Sequence, residues 1–249
     1  MTNDRQARAA RAEKMRKERE KTERRQRNVI SLAIVAVVVV LIGVGGWAIK
    51  NAADENATQT EVVTPRNLVD DGVPFPATGQ KQANAPLVEV FADFLCPACG
   101  SFEKLSGSFL QEQAAAGTIE LRFMPFSFLH NGSTNDYSRR AMNLGMCAVD
   151  EQGDAAFWKV HDALFANQPA EGGAGPDDAA LIKLANDAGV TGLDSCVRTE
   201  KFVPWVDETQ QKFSSEREVS GTPTVHINGK NSEARTPQEL ATAIAAATK

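Results

Sequence analysis

The sequence predicts one α/β domain that is interrupted by a block of helices and preceded by a single membrane-spanning helix. An apolar, β-rich run at residues 87–92 leads into a helical pattern, and a second, alternating strand follows at 119–123. Helical patterns then succeed one another from about residue 134 to 218, and β-rich sequence returns at 221–227. Strands, a block of helices, and then strands with a terminal helix indicate a single α/β domain with an all-helical insertion.

The first 27 residues form a basic arm on an otherwise acidic chain. They contain 11 Lys and Arg against 5 Asp and Glu, whereas the whole chain has a formal net charge of −5. The residues that follow the arm therefore carry a strong excess of negative charge. A basic arm on an acidic body is not the charge balance of a nucleic-acid-binding domain, so we expect no nucleic acid among the partners.

A continuous apolar segment follows the arm. Residues 29–49 contain no charged side chain over 21 positions, and a helix needs about 20 residues to cross a bilayer. Arginines at 24, 25 and 27 precede the segment, so the positive-inside rule places residues 1–27 in the cytoplasm and the body outside it. The sequence predicts a transmembrane anchor at 28–49. The alternative is a cleaved signal peptide, but the apolar run exceeds the usual ~7–15-residue signal core.

A polar tether separates this anchor from the folded body. Residues 50–65 are polar and rich in Ala and Thr, and we expect the folded domain to occupy residues 66–249. The domain is predicted to begin with a hairpin, because an Asp71-Gly72 turn lies between the short apolar segments 67–69 and 73–75.

A Cys-Pro-Ala-Cys sequence at 96–99 follows the strand at 87–92 after three residues and opens a helix. Cys96 lies where unpaired backbone N–H groups and the positive end of the helix dipole stabilise a thiolate. Pro97 suits the first helical turn, because its missing N–H has no partner there. Cys99 is spaced to close a disulfide with Cys96. The pair predicts thiol-disulfide exchange. The accessible Cys96 is the sulfur that attacks a substrate disulfide or receives the attack of a substrate thiol, and the shielded Cys99 resolves the mixed disulfide.

Three other interpretations of the motif are weaker. A zinc site needs a second close Cys/His pair, whereas Cys147 and Cys196 stand alone in the sequence. A c-type haem site needs His directly after the second Cys, and Gly100 occupies that position. A purely structural disulfide between Cys96 and Cys99 remains possible. We therefore expect no metal and no cofactor other than the redox-active disulfide.

The insertion is predicted to contain five helices and the second pair of cysteines. Cys147 and Cys196 lie on two of these helices, 49 residues apart. In an exported domain we expect them to form a structural disulfide, although two buried free thiols are the competing interpretation. The predicted helices cover residues 138–150, 154–165, 176–189, 193–199 and 204–217.

The last part of the domain is predicted to be a hairpin followed by a helix. An Asn228-Gly229 turn joins the strand at 221–227 to a short strand near 232–234. Thr236 and Glu239 form a capping box with Pro237 at the first helical position.

These residues together resemble the DsbA-like thiol:disulfide oxidoreductases. The resemblance rests on the Cys-Pro-Ala-Cys sequence after Asp93-Phe94, on the Phe-Trp-Lys-Val-His segment at 157–161, and on Gly-Thr-Pro-Thr at 221–224. It covers roughly residues 66–248. It implies a thioredoxin fold with a helical insertion, an extracytoplasmic location, and a cis peptide bond before Pro223. It also implies that Thr222 and Pro223 form the turn that binds the substrate chain.

The sequence departs from the family pattern at two places. Thioredoxin-like proteins often have a buried acid six residues before the first Cys, where this chain has Val90. Glu89 is adjacent but should face the other side of the strand, and Asp93 is interpreted as a solvated side chain. Ala98 stands where the best-known oxidases of the family have a His that stabilises the thiolate, so this contribution to the strength of oxidation is missing here. His161 is interpreted as a satisfied core residue.

The sequence therefore predicts a membrane-anchored extracytoplasmic oxidoreductase that forms disulfide bonds in exported proteins. The implied partners are exported proteins with thiols and a membrane redox protein that resets the dithiol. The alternatives are a reductase or isomerase on the same fold, and a non-enzymatic module that binds a metal or a partner.

Overall fold

The computed structural model describes residues 62–248, and these contain one five-stranded sheet. The strand order is β1-β3-β2-β4-β5, which places β2 at the centre. A short edge strand lies at each side of the sheet. The strands are β1 (Val73–Pro74), β2 (Leu87–Ala92), β3 (Glu120–Pro125), β4 (Thr224–Ile227) and β5 (Lys230–Ser232).

The helical crossover between β2 and β3 carries the Cys-Pro-Ala-Cys sequence. β2 and β3 are parallel, and parallel neighbours need a long connection that is usually helical. The connection consists of α1 (Pro97–Phe102), a π-helical turn (Glu103–Gly107) and α2 (Ser108–Ala115). Gly117 follows with a φ of 73°, the left-handed conformation that ends many helices.

The central strand is buried on both faces. Val88 and Phe91 are fully buried, and Glu89 is only 2% exposed. Strands covered on both faces are continuous apolar runs rather than alternating ones. Phe91 belongs to a small cluster that includes Phe213 of the insertion, whereas Val90 belongs to the main core. The helices therefore cover both faces of the sheet.

Five helices lie between β3 and β4. The first of them, α3, has twelve of its sixteen residues buried, as expected of a helix surrounded by others. It contacts α4, α5, α6 and α7, and is thus the centre of the helical insertion. The five are α3 (Tyr137–Gln152), α4 (Asp154–Ala166), α5 (Asp178–Asp187), α6 (Asp194–Arg198) and α7 (Val203–Glu216).

The disulfide of the structure joins two of these helices. Cys147 of α3 is bonded to Cys196 of α6, the pair that the sequence assigned to a structural disulfide. Cys147 is fully buried and Cys196 is 7% exposed. The last helix of the described residues is α8 (Pro237–Ala247), where Thr236 and Glu239 form both hydrogen bonds of the capping box.

The predicted N-terminal hairpin is wrong. Val69 and Gly72 form only an isolated bridge around a tight turn at Asp70 and Asp71, which both have positive φ. β1 instead pairs antiparallel with β3. Local turn chemistry located the reversal of the chain to within one residue, but pairing with the main sheet buries more apolar surface than an isolated hairpin can.

The predicted cytoplasmic arm, the anchor at 28–49 and the tether as far as residue 61 lie outside the described residues. Between residues 62 and 248, no helix has the length and apolar character needed to span a membrane.

Candidate active site

The two cysteines of the motif occupy the first turn of the crossover helix. Cys96 is the N-cap residue and Pro97 is the first helical residue. Both Cys96 and Cys99 are free thiols, so the structure corresponds to the reduced protein. Cys96 is 7% exposed and Cys99 is fully buried. Cys96 is therefore less accessible than expected from the sequence, and its sulfur lies against the Thr222 carbonyl oxygen, whereas Pro97 and Ala98 are exposed.

The surroundings of the two sulfurs separate their pKa values. A hydrogen bond from the Cys99 thiol is the largest influence that lowers the pKa of Cys96, to about 5. Burial opposes this effect, but hydrogen bonds from the backbone N–H groups of Ala98 and Cys99 add to it. Burial raises the pKa of Cys99 well above its ordinary value. At neutral pH the reduced pair thus holds a thiolate on Cys96 and a proton on Cys99.

The Thr222–Pro223 turn faces the Cys96 sulfur. The peptide bond between Thr222 and Pro223 is cis, and the Cys96 sulfur lies 3.5 Å from the Thr222 carbonyl oxygen, which accepts a hydrogen bond from the protonated thiol. The Thr222 hydroxyl is buried and has no hydrogen-bond partner within the protein. The turn therefore presents both a carbonyl oxygen and a hydroxyl beside the dithiol.

Asp93 is a buried acid, so its interpretation as a solvated side chain is wrong. It is fully buried, and its carboxylate accepts hydrogen bonds from Leu95 N (2.8 Å), Leu129 N (2.6 Å) and Ser138 Oγ (2.8 Å). Burial raises the pKa of Asp93 to about 6, against these hydrogen bonds. The bond to the N–H two residues ahead is an Asx turn, which the sequence could indicate, whereas the bonds to Leu129 and Ser138 come from distant segments.

Glu89 lies on the other face of β2, as its position in the strand indicated. Its carboxylate accepts a 2.6 Å hydrogen bond from Arg217 of the insertion, and its strand neighbour across the sheet is His226. Val90, at the position where related proteins have a buried acid, belongs to the main core. Neither residue brings a carboxylate to the side of the sheet that Val90 occupies.

His161 lies in an aromatic cluster behind the active-site helix. It is 1% exposed, and its Nδ1 atom lies 2.9 Å from Asp162 Oδ1. Burial lowers the pKa of His161, but Glu103, 3.7 Å from Nε2, and Asp162 raise it to about 9. The rings that surround it belong to Phe94, Phe123, Phe157, Trp158 and Phe165.

A groove of about 660 Å³ separates the active-site helix from α4. Pro97, Gly100 and Lys104 line one wall, and Phe165 and Gln168 line the other. Within residues 62–248, no group of three or more His, Cys, Asp or Glu side chains is arranged to hold a metal ion.

Comparisons with known proteins identify the family. The family model described as Thioredoxin matches residues 75–246. Reduced DsbA from Mycobacterium tuberculosis superimposes with a TM-score of 0.62 at 33% sequence identity, over 70% of this chain and 90% of that one. Disulfide bond formation protein D from Bacillus subtilis is 25% identical over 62% of this chain and 68% of its own length.

The chain also matches part of a larger protein. The serine/threonine-protein kinase PknE of Mycobacterium tuberculosis is 28% identical over 55% of this chain, and the match spans only 26% of that kinase. The family model covers more than half of the chain, and the DsbA structure shares one third of its residues. The chain therefore belongs to the thioredoxin family, among the DsbA-like thiol-disulfide oxidoreductases.

Proposed function

We propose that this protein is a membrane-anchored oxidase that forms disulfide bonds in exported proteins through Cys96 and Cys99. The observation that carries the proposal is the asymmetry of the dithiol, which holds a stabilised thiolate on Cys96 and a buried, protonated thiol on Cys99. A stabilised thiolate favours the reduced form of the pair. The oxidised form is then a strong acceptor of electrons from client thiols.

The oxidation of a client takes two exchange steps. A client thiolate attacks Cys96 Sγ of the oxidised pair, which forms a mixed disulfide and releases Cys99 as a thiolate that takes up a proton. A second client thiolate then attacks the client sulfur of the mixed disulfide and releases the Cys96 thiolate. The client loses two electrons and gains a disulfide, and the Cys96–Cys99 pair gains those two electrons. No cofactor besides the dithiol takes part.

The Thr222–Pro223 turn is the proposed docking point for the client chain. An extended chain can pair with exposed backbone groups beside a strand. Thr222 precedes β4, and its carbonyl oxygen lies beside the sulfur that the client attacks. A client backbone held there would bring its own cysteine to Cys96.

The location and the redox partner are inferred from the N-terminal sequence. Residues 28–49 are the proposed anchor, residues 1–27 the cytoplasmic arm and residues 50–65 the tether, so that the catalytic domain is extracytoplasmic. A membrane protein that accepts electrons from the reduced dithiol would return it to the oxidised form. The absence of charge over 21 residues and the arginines before them support this arrangement.

One feature favours a second candidate function. Ala98 is exposed between the two cysteines and has no ring that could stabilise the thiolate. Without that contribution the pair would be a weaker oxidant, suited to reducing or rearranging client disulfides.

The reduction potential distinguishes the two functions. The full-length protein in detergent, equilibrated with glutathione, is expected to show a potential above about −200 mV, in the range of oxidants rather than that of thioredoxin at about −270 mV. It should also oxidise reduced hirudin. The Cys99→Ser variant should accumulate mixed disulfides with clients, and Cys96→Ser should accumulate none. A potential near that of thioredoxin would favour the reductase, and no thiol exchange at all would exclude both functions.

A further inference from the structure

Gln168 of the helical insertion contacts the backbone on both sides of the active-site loop. Its side-chain amide nitrogen donates hydrogen bonds to the carbonyl oxygens of Phe94, at 3.0 Å, and Cys96, at 2.9 Å. Gln168 lies just beyond the end of α4. A single side chain from the insertion thus binds the two carbonyl groups that flank Leu95.

These carbonyl groups set the direction of the backbone at the catalytic cysteine. The Cys96 carbonyl oxygen also accepts the first helical hydrogen bond, from Gly100 N at 3.1 Å. The N–H of Leu95 is bound in turn by the Asp93 carboxylate. The segment from Asp93 to Cys96 is therefore held at three backbone groups by two side chains, and only Gln168 among these comes from the insertion.

Gly100 provides the space that Gln168 needs. A Cβ atom on Gly100 would collide with the Oε1 atom of Gln168 and press on its amide carbon. Glycine inside a helix is unfavourable relative to alanine, and the φ of Gly100 does not require it. The absence of a side chain at position 100 is therefore explained by the amide that covers it.

The orientation of Cys96 matters because its thiolate is stabilised by directional contacts. The backbone N–H groups of Ala98 and Cys99 point to the sulfur only while Cys96 keeps its N-cap conformation, with φ −68° and ψ 118°. The torsion ψ of Cys96 rotates its carbonyl group relative to its side chain. A donor bound to that carbonyl oxygen therefore also fixes the sulfur relative to the helix N-terminus.

We propose that Gln168 is a positioning residue through which the insertion holds Cys96 in its thiolate-stabilising conformation. This inference rests on the proposed function, since it concerns the same dithiol. Gln168 does not touch the sulfur and acts through the backbone of Phe94 and Cys96. Gly100 is also required for this arrangement, because it leaves room for the Gln168 amide.

The first test removes the hydrogen bonds but keeps the volume of the side chain. Gln168→Met in the full-length protein should raise the pKa of Cys96 by about one unit, measured by the ultraviolet absorbance of the thiolate during a pH titration. Its equilibrium with glutathione should shift about tenfold toward the oxidised protein, which corresponds to ~30 mV for a two-electron couple. The matched control is Gln111→Met, because Gln111 of α2 also donates a hydrogen bond to the insertion, to the Asp162 carboxylate. That variant should leave both values unchanged.

The second test uses Gly100 and does not depend on how well the Gln168→Met variant folds. Gly100→Ala should displace the amide and raise the Cys96 pKa by a similar amount. In a Gln168→Ala background, Gly100→Ala should not change the Cys96 pKa, because the space beside position 100 no longer contains the Gln168 amide. If both Gln168→Met and Gly100→Ala keep the wild-type Cys96 pKa and the wild-type equilibrium with glutathione, the proposal is wrong. A wild-type protein that does not exchange with glutathione would instead overturn the proposed function.

Discussion

The sulfur of Cys96 and the carbonyl oxygen of Thr222 lie 3.5 Å apart although 126 residues separate them in the chain. The antiparallel pairing of β2 with β4 explains this contact, because it sets Phe91 opposite Thr224. The end of β2 that leads to the dithiol therefore meets the beginning of β4. The insertion between β3 and β4 lengthens the chain without disturbing this meeting point.

Alkylation of the reduced protein should modify Cys96 first, because only its thiolate is stabilised. The rate should rise through a midpoint near pH 5 and then level off, since the pKa of Cys96 is lowered to about 5. Mass mapping of the product gives the site of labelling, and the rate as a function of pH gives the pKa. The Cys96→Ser variant, as the control, should react little near neutral pH because burial raises the pKa of Cys99. Faster labelling at Cys99 would reverse the assigned roles.

The substitution Ala98→His should make the protein a stronger oxidant. An imidazole between the cysteines stabilises the Cys96 thiolate more than it stabilises the disulfide. A decrease of one unit in the Cys96 pKa is worth ~1.4 kcal/mol, which raises the potential by ~30 mV. Equilibration with glutathione measures this change. The control is Ala98→Gln, which supplies a polar side chain without the positive charge and should shift the potential less. If the potential of Ala98→His is equal to or lower than that of the wild-type protein, the prediction is wrong.

The substitution Asp93→Asn should remove part of the pH dependence of the stability, and it should lower the stability most below about pH 4, where the wild-type carboxyl group is also uncharged. Burial raises the pKa of Asp93 from 3.8 to about 6, so the folded protein binds this proton more tightly than the unfolded chain. The stability that this proton contributes is present below about pH 4 and is lost as the pH rises through 6. The asparagine would remove that slope. It also has one acceptor oxygen instead of two, and an unpaired N–H at Leu95 or Leu129 costs about 1–3 kcal/mol.

Urea unfolding between about pH 4 and 7 measures both effects of this substitution. The control is Glu208→Gln, which removes one negative charge at an exposed position. That control should retain the pH dependence of the wild-type protein. An Asp93→Asn protein with the wild-type slope would show that the carboxyl group does not titrate in this range.

The double substitution Cys147→Ala with Cys196→Ala should lower the thermal stability of the protein. The disulfide closes a loop with a sequence separation of 49 residues, and in the chain-entropy model such a loop contributes about 4 kcal/mol. The midpoint of thermal unfolding should fall, whereas the potential of the Cys96–Cys99 pair should stay within a few millivolts. The control is wild-type protein in which a reductant has opened the Cys96–Cys99 bond but not the buried Cys147–Cys196 bond. A large shift in the active-site potential would show that the two pairs are coupled.

Several features of this protein follow from local sequence patterns alone. The position of Cys96 at a helix N-terminus could be predicted. An apolar strand pattern precedes it, Pro97 suits the first helical turn, and a helical pattern follows. Pairing Cys147 with Cys196 needed only the count of cysteines and the expectation of an extracytoplasmic location. The α/β order of strands and helices was readable for the same reason, since side-chain periodicity reports secondary structure within a few residues.

Tertiary structure alone decided the contacts that complete the active site. Three features depend on segments that lie 36 to 74 residues apart or belong to different layers. They are the burial of Asp93, the hydrogen bonds from Gln168 to Phe94 and Cys96, and the pairing of β1 with β3. No local pattern encodes such distances. Whether a polar side chain meets water or a distant backbone group depends on how the insertion packs against the sheet, and that packing is a property of the whole chain.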